Sequence, residues 1–338
     1  MISSKQAGIS KFGLPTLFLT CLLLIYYYVS KNSPSVSVIS MSTTPSLSNN
    51  NTSIYRDELE EALKGASNVN KTVIIAVVNE AYIEGDKSMF DIFLDGFWLG
   101  EDTRGLTNHL LIVAVDQIAY ERCMFLKLHC YRVKTNEDDF VGEKAFMSEG
   151  FLKMMWLRTA FLRDVLRRGY NFIFTDTDVV WLRNPFPHLM LNETLDLQAS
   201  AQWFNGNQYS LDNEINTGFY MIRSNNKTIA LFDEWYERRH NSSGKKEQDI
   251  LNDLKFEGAF KRLGIEFKVL DSKYVSTFCD DSKDIKVVSV FHAACCGTIK
   301  NKAADLIKVL HDWKRIKDLI IINKTMEFQW SKHSACLP

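Results

Sequence analysis

The chain has 338 residues, and its 46% hydrophobic and 24% charged residues are ordinary values for a globular protein. Its 40 basic and 41 acidic residues give a formal net charge of −1. Nucleic-acid-binding proteins normally carry a basic excess or a basic face, so this balance argues against a nucleic-acid partner.

The first predicted element is a membrane anchor at residues 12–29, a stretch without a charged residue. As a helix it would be about 27 Å long, enough for a thin bilayer of the secretory pathway. Lys5 and Lys11 precede it and only Lys31 follows closely, so we expect a cytosolic tail at residues 1–11. A cleaved signal peptide is the alternative, but bulky tyrosines stand where small residues would mark the cleavage site. We therefore predict a single-pass type II membrane protein.

The region after the anchor divides into a stem and a folded body. Up to about Ser53 the chain is rich in Ser, Asn, Thr and Pro and poor in large apolar residues, a composition that favours disorder. We predict a flexible stem at residues 30–69 and a lumenal domain at residues 70–338. Acceptor sequons for N-glycosylation support the lumenal location, and they begin at Asn50, Asn51, Asn70, Asn192, Asn226, Asn241 and Asn323.

Cysteines after the anchor predict disulfides, because their number is even and the expected compartment is oxidising. Cys123 and Cys130 are near neighbours in sequence and are the first pair that we expect to be bonded. The other pairings remain open. A zinc site is the competing interpretation, but no repeated C-x-x-C spacing supports it. The cysteines concerned are Cys123, Cys130, Cys279, Cys295, Cys296 and Cys336.

Strand and helix patterns alternate at the start of the body. Apolar runs rich in β-branched residues predict strands at 71–78, 109–115 and 171–175, and apolar residues at helical spacing predict helices at 89–98 and 151–168. Ser148 and Gly169 are suited to begin and end the longer helix. This order predicts an α/β fold with a parallel sheet. Ligands bind beyond the carboxyl ends of such strands, where Asn79, Asp116 and Asp176 would lie.

The motif Asp176-Thr177-Asp178 directly follows the third predicted strand. Residues two apart in extended backbone point the same way, so both carboxylates can face one ligand. Two hard oxygen donors suit Mn²⁺ or Mg²⁺, which leave open positions for phosphate oxygens. The alternative is an acidic turn whose carboxylates are merely solvated.

Three later blocks also contain chemically useful residues, at 216–221 (NTGFYM), 247–252 (EQDILN) and 292–300 (HAACCGTIK). The first could be a close backbone approach or a simple entry into a strand. The second could serve a site or only the first turn of a helix, where acids are favoured. The third directly follows a run at 285–291 that is strand-like. In it, His292 could ligate a metal and Lys300 could meet a phosphate, although a lone histidine beside a strand is more often packed or solvated.

The stretch YNFIFTDTDVVWLRNPF, followed by NTGFY, EQDILN and FHAACCG, resembles the plant nucleotide-diphospho-sugar transferase group of glycosyltransferase family 77. The resemblance runs from about Thr72 to Lys332. It implies a GT-A fold, a Rossmann-type α/β architecture with a mixed, mainly parallel sheet flanked by helices. It also implies a Golgi location and a retaining transfer from a UDP-sugar to a cell-wall or glycoprotein acceptor. Arabinose, xylose and galactose are donor sugars of that family.

The order of motifs is also similar to the related retaining family that contains glycogenin. This similarity implies that Asp176, Asp178 and His292 bind manganese, with Asp176 also at the ribose. It implies that Gly297 and Lys300 bind the diphosphate, although the spacing between His292 and Gly297 is longer here than in the related family.

Further roles follow from the same similarity. Gln248 and Asp249 would lie near the transferred sugar as the catalytic residues, although Glu247 stands where an aspartate is common. Asn79 would line the nucleoside pocket, and Asn216 would contact the donor. One basic residue of the helix before the metal motif, Arg158 or Lys153, would also reach the donor.

Two mechanisms and two rival functions stay open. Asp249 could act as a nucleophile, or a diphosphate oxygen could assist attack on the face from which UDP departs, which we prefer. FIFTDTDVV also fits a phosphatase of the haloacid dehalogenase type, with Asp280 and Asp281 as late metal-binding acids. The other rival is a lumenal carbohydrate-binding scaffold that has lost turnover.

Overall fold

The computed structural model describes residues 57–135, 140–189, 194–321 and 329–337. The predicted cytosolic tail, the predicted anchor at 12–29 and most of the predicted stem lie outside these ranges. Within them, no helix combines the length and the apolar character that crossing a membrane requires.

The described strands and helices alternate along most of the chain. The strands are β1 (Thr72–Val78), β2 (Leu110–Ala114), β3 (His129–Arg132), β4 (Asn171–Thr175), β5 (Val179–Trp181), β6 (Leu197–Ala201), β7 (Ile215–Ile222), β8 (Phe267–Val269), β9 (Val275–Thr277) and β10 (Val290–His292). The α-helices are α1 (Glu58–Ala66), α2 (Met89–Leu99), α3 (Gln117–Phe125), α4 (Glu149–Arg167), α5 (Phe186–Leu189), α6 (Asn226–Glu237), α7 (Glu247–Phe256), α8 (Ala259–Leu263) and α9 (Ile299–Ile321).

The main sheet has the strand order β3-β2-β1-β4-β7-β6-β8. Its neighbours are parallel except that β7 runs antiparallel to both β4 and β6. The predicted mixed, mainly parallel sheet is therefore confirmed. The strands β1, β2 and β4 carry apolar side chains on both faces because helices cover both sides of the sheet.

A second, small sheet has the order β5-β10-β9. In it, β10 runs antiparallel to β5 and parallel to β9. The side chains of β5 and β10 share one core cluster with α2 and α9. Since β5 begins directly after the Asp176-Thr177-Asp178 motif, this small sheet determines where the motif lies.

The longer predicted helix is confirmed as α4. The Ser148 hydroxyl accepts a hydrogen bond from the Phe151 N–H and so caps the first turn. Gly169 follows the helix with φ of 80°, a left-handed conformation that glycine adopts without strain. The chain then enters β4 at Asn171, as predicted.

Two predicted boundaries are wrong. Part of the predicted flexible stem is the helix α1, whose Leu59 and Leu63 are buried against the main sheet, so the folded domain begins before residue 70. The strand-like run at 285–291 is a strand only from Val290, because residues before it form a turn rather than pairing in a sheet.

The predicted Cys123–Cys130 disulfide is confirmed. The structure also resolves the open pairings as Cys279–Cys295 and Cys296–Cys336. All six cysteines after the predicted anchor are thereby bonded, so the alternative of a cysteine-ligated zinc site is wrong.

Gly96 on α2 allows this helix to lie directly against β5. A Cβ atom at Gly96 would stand 2.7 Å from the backbone nitrogen of Trp181. We predict that Gly96→Ala lowers the free energy of unfolding by about 1–3 kcal/mol despite the better helix propensity of alanine. Denaturant titration measures the change. Gly105→Ala is the matched control, since nothing lies within 4 Å of a Cβ there; an equal loss in both variants would contradict the packing argument.

Candidate active site

A cleft of about 450 Å³ opens at the carboxyl ends of β1 and β4. It is the position that parallel α/β sheets use for ligands. The start of β7 reaches the same place, because β7 runs opposite to β4 and pairs Phe219 with Thr175. The small sheet supplies another part of the wall through the end of β10, and α4, α7 and α9 also contribute lining residues. Segments that are far apart in the chain thus contribute side chains to one cleft.

Asp176, Asp178 and His292 form a cluster in this cleft, with one ligand atom from each lying within 4.8 Å of the others. The antiparallel pairing of β10 with β5 sets His292 opposite Val179, next to the D-x-D motif. The Ala293 N–H donates to the Asp178 carbonyl oxygen at 3.0 Å and closes this contact.

The cluster has the composition and geometry of a divalent-metal site. Two carboxylates and an imidazole are suitable ligands for manganese and related ions. Asp178 Oδ1 is buried without a hydrogen-bond partner among the described residues and lies 3.4 Å from His292 Nε2. A buried carboxylate oxygen without a hydrogen-bond partner is costly, and a bound cation would supply the missing partner. The three residues therefore fit a bound metal.

Lys302 on α9 is a further charged group at this cluster. Its Nζ lies 2.7 Å from Asp178 Oδ2. Burial opposes ionisation of Asp178, but Lys302 and His292 outweigh it and hold the pKa of this carboxyl well below its usual range. Burial raises the pKa of Asp176, and the nearby Arg158 offsets this only in part. The two acids of one motif therefore have different proton affinities.

Arg158 is buried beneath the motif, where it joins two acids. It donates to Asp176 Oδ1 at 2.8 Å and to Glu247 Oε1 at 2.5 Å, and its guanidinium lies 4.7 Å from the centre of the Phe174 ring. The Thr217 hydroxyl donates to the same oxygen of Glu247 at 3.0 Å. Arg158, which was predicted to reach the sugar donor, does line the cleft. Its hydrogen bonds, however, go to Asp176 and Glu247 and hold these two acids in place.

The other predicted residue of that helix, Lys153, pairs with Glu149 at 3.0 Å and is not among the cleft-lining residues.

Gln248 and Asp249 are neighbours at the start of α7 but have different surroundings. Gln248 lines the cleft, and its Oε1 accepts the Thr217 N–H at 3.0 Å. Asp249 is not a lining residue; its carboxylate accepts the Lys246 N–H at 3.1 Å and so caps the helix. The similarity to the family that contains glycogenin implied that both lie near the transferred sugar, and the structure brings only Gln248 to the cleft.

The predicted nucleoside and donor residues Asn79 and Asn216 both line the cleft. The amide of Asn79 donates to the carbonyl oxygens of Phe140 and Gly142 at 2.8 and 3.0 Å, so it supports one rim. Asn216 Oδ1 accepts the Gly218 N–H at 2.8 Å. These contacts give both residues a structural role at the site.

Of the two residues predicted to bind the diphosphate, Gly297 lines the cleft and Lys300 does not. Lys302 is the lysine that reaches the cluster. The helical period could have shown this, because Lys302 precedes the buried Leu306 by four residues and shares its face of α9. Lys300 lies on the opposite face.

The structure adds Tyr82 and Glu247 to the cleft-lining residues that sequence reasoning did not assign to the site. Burial raises the pKa of Tyr82 to about 12, so its hydroxyl stays protonated at neutral pH. The late acids of the phosphatase interpretation do not contribute: neither Asp280 nor Asp281 lines the cleft, and Asp281 forms an ion pair with Lys283.

Gly218 is required for the cluster to form. A Cβ atom there would stand 2.4 Å from His292 Cε1 and 2.9 Å from Asp176 Oδ2. We predict that Gly218→Ala weakens Mn²⁺ binding at least about tenfold, because buried side chains of a packed site cannot give way freely. Isothermal titration with Mn²⁺ measures this, with Gly105→Ala as the control. Wild-type affinity in the Gly218→Ala protein would contradict the assigned geometry.

Comparisons with known proteins agree with the cleft. A sequence model described as nucleotide-diphospho-sugar transferase matches residues 105–306, which include the D-x-D motif and His292. The chain is 50% identical to the uncharacterized protein At1g28695 of Arabidopsis thaliana over 83% of either chain.

Other relatives in the same plant have an assigned activity, and two of them are described here. The chain is 25% identical to the beta-arabinofuranosyltransferase RAY1, over 61% of this chain and 37% of that protein. It is 27% identical to UDP-D-xylose:L-fucose alpha-1,3-D-xylosyltransferase 3, over 56% of this chain and 48% of that protein. The resemblance to plant family 77 transferases is confirmed, and the mainly parallel sheet matches the GT-A-like fold that it implies. The chain belongs to the nucleotide-diphospho-sugar transferase family and is a glycosyltransferase.

Proposed function

We propose that this enzyme transfers a pentose from a UDP-sugar to a cell-wall glycan or glycoprotein, with Mn²⁺ or Mg²⁺ as cofactor and with retention of configuration. The observation that carries the proposal is the cluster of Asp176, Asp178 and His292 at the wall of the cleft, with Lys302 beside it. Such a cluster can hold a cation and receive a diphosphate, which is what departure of UDP from a sugar requires.

A cation bound by this cluster would act as a Lewis acid that neutralises charge on the departing diphosphate. Lys302 is placed to add a second positive charge at the same point, and burial strengthens its effect. Gly297 lines the adjoining wall without a side chain and leaves room for phosphate oxygens. In this proposal Lys302 takes the role that the sequence suggested for Lys300.

The part of the cleft formed by the start of α7 is suited to the transferred sugar. Gln248 presents its amide there, and Arg158 and Thr217 hold Glu247 in a fixed position. The Asp249 carboxylate caps the first turn of α7 and does not line the cleft, so a role as nucleophile has no support from its position. We therefore favour attack on the face from which UDP departs, with a diphosphate oxygen accepting the proton of the incoming hydroxyl.

The donor sugar and the location are inferred from independent features. The activities of the two relatives described above concern arabinose and xylose, which favours a pentose donor. The disulfides are expected in an oxidising compartment, which favours a lumenal domain. We propose a Golgi location, with residues 12–29 as the anchor of a type II membrane protein.

The direct test is to incubate the purified protein with a panel of UDP-sugars and Mn²⁺ and to measure release of UDP. We expect UDP-arabinose or UDP-xylose to be turned over and chelation with EDTA to stop the reaction. Release of inorganic phosphate from simple esters would favour the phosphatase instead. If neither UDP nor inorganic phosphate is released, the inactive scaffold is favoured.

We predict that Asp178→Ala lowers the rate of UDP release at least about 100-fold, because it removes a metal ligand and unpairs Lys302. His292→Ala should raise the Mn²⁺ concentration needed for half-maximal activity about 10–100-fold. Metal titration of the activity measures both. Asp281→Ala is the control, because Asp281 is an acid that does not line the cleft. Retention of full activity in Asp178→Ala would contradict the assignment of the active site.

We predict that Lys302→Met raises the KM for the UDP-sugar about 10–100-fold, since a buried charged contact is lost. Lys300→Met is the matched control on the exposed face of the same helix and should leave KM unchanged. Initial rates over a range of donor concentrations distinguish the two variants. A raised KM in Lys300→Met alone would restore the assignment suggested by sequence.

A further inference from the structure

Two disulfides meet at adjacent residues in the wall of the cleft. Cys295 is bonded to Cys279, and Cys296 is bonded to Cys336. The loop that carries both cysteines, residues 292–297, is called the CC loop below. It begins at the histidine of the metal cluster, ends at the glycine proposed for the diphosphate, and most of it lines the cleft.

The backbone of the CC loop has little support of its own. The ladder of the small sheet ends where the Ala293 N–H donates to the Asp178 carbonyl and the His292 carbonyl accepts the Phe278 N–H. Beyond that point, residues 294–297 make no backbone hydrogen bond to any described part of the chain. The two disulfides therefore provide the main attachment of this segment.

Cys295 has a φ of 63°, in the left-handed region that residues with a side chain rarely adopt. Its sulfur accepts from Gln202 Nε2 at 2.9 Å, and the sulfur of Cys279 accepts from the same nitrogen at 3.3 Å. Gln202 Oε1 accepts from the Asn216 amide at 3.1 Å, and Asn216 in turn holds the Gly218 N–H. This chain of contacts links one disulfide to the backbone against which the metal cluster packs.

The other disulfide is anchored on α9. The N–H groups of Ala335 and Cys336 donate to Asp305 Oδ2 at 3.0 and 2.9 Å. Asp305 is fully buried, and its second oxygen pairs with Lys308 at 2.7 Å. The C-terminal segment 329–337 is thereby fixed to the helix that carries the lysine of the metal cluster.

The two anchors also contact each other. The ring of His333 lies 4.2 Å from the ring of Phe278, centre to centre, and Trp330 Nε1 donates to the Ser282 carbonyl at 2.8 Å. Phe278 immediately precedes Cys279. Cys279 and Cys336, the bonding partners of the CC-loop cysteines, therefore lie in one packed region. The CC loop is covalently joined to this region at two successive residues.

We propose that Cys295 and Cys296 are positioning residues whose disulfides hold the CC loop in the shape that binds the cation and the donor diphosphate. Breaking either bond releases the loop, so the protein must order it again when ligands bind, and affinity falls. Turnover of donor already bound changes little, because bound ligands restore the same arrangement. The nature of the donor rests on the proposed function, but the requirement for an ordered loop does not.

The test compares three pairs of substitutions in the full-length protein. Cys279→Ser with Cys295→Ser and Cys296→Ser with Cys336→Ser break the bonds of the CC loop. Cys123→Ser with Cys130→Ser is the matched control, because that disulfide joins α3 to β3 and does not line the cleft.

Three quantities are measured on each protein: the Kd for Mn²⁺ from the paramagnetic resonance of the free ion, and the KM and kcat for the UDP-sugar. We expect the Kd and the KM to rise about tenfold in both CC-loop variants, with kcat within about twofold of wild type. The control should match wild type. An unchanged Kd in folded CC-loop variants, or an equal rise in the control, would overturn the proposal.

A second measurement needs no variant to fold. The wild-type protein is reduced slowly with dithiothreitol, and the reduced cysteines are identified by alkylation, with and without Mn²⁺ and UDP. If the CC loop and the ligands stabilise each other, ligands slow reduction at Cys279–Cys295 and Cys296–Cys336 but not at Cys123–Cys130. Equal rates with and without ligands would refute the coupling.

The two proposals fail in different ways. Should no UDP-sugar be turned over, the proposed function fails while Mn²⁺ binding and reduction rates still test the CC loop. Should turnover occur with loop variants that behave as wild type, only the positioning role fails.

Discussion

The site depends on the antiparallel pairing of β10 with β5. This short contact sets His292 beside Asp178, although the two residues are far apart in the chain, and it joins the small sheet to the carboxyl end of β4. Trp181 strengthens the join, because its indole donates to the Thr175 hydroxyl at 3.3 Å and its ring packs on Phe97. Without this pairing, the two carboxylates of the motif would have no third ligand.

Charge balance is the second constraint on the cleft. Arg158 is buried between Asp176 and Glu247, and Lys302 lies against Asp178, so each acid of the motif has its own cation. Removing water from unpaired charges is costly, and these pairs reduce that cost and orient the acids before any ligand arrives. A cation that entered would meet a site whose shape is already set, which reduces the reorganisation that binding requires.

Local patterns made part of this arrangement predictable. The strand at 171–175 and the helix before it follow from apolar period and capping residues, and the D-x-D motif is adjacent in sequence. The helix α1 has its apolar residues at helical spacing, but it is only 9 residues long and adjoins a polar stretch, so its local signal is weak. The Asp249 carboxylate has the chemistry of a catalytic acid, but it accepts the Lys246 N–H and so caps the first turn of α7.

The choice of Lys302 over Lys300 needs the helix α9, whose period the sequence carries but which is not among the predicted elements. The pairings of Cys295 and Cys296 have no local signal, because they follow from where the C-terminal segment packs. The measurement that tests the central claim most directly is a crystal structure with Mn²⁺ and UDP, using the anomalous signal of manganese. A single peak within bonding distance of Asp176, Asp178 and His292 is the result expected. A manganese peak elsewhere, with these side chains bound to none, would contradict the account.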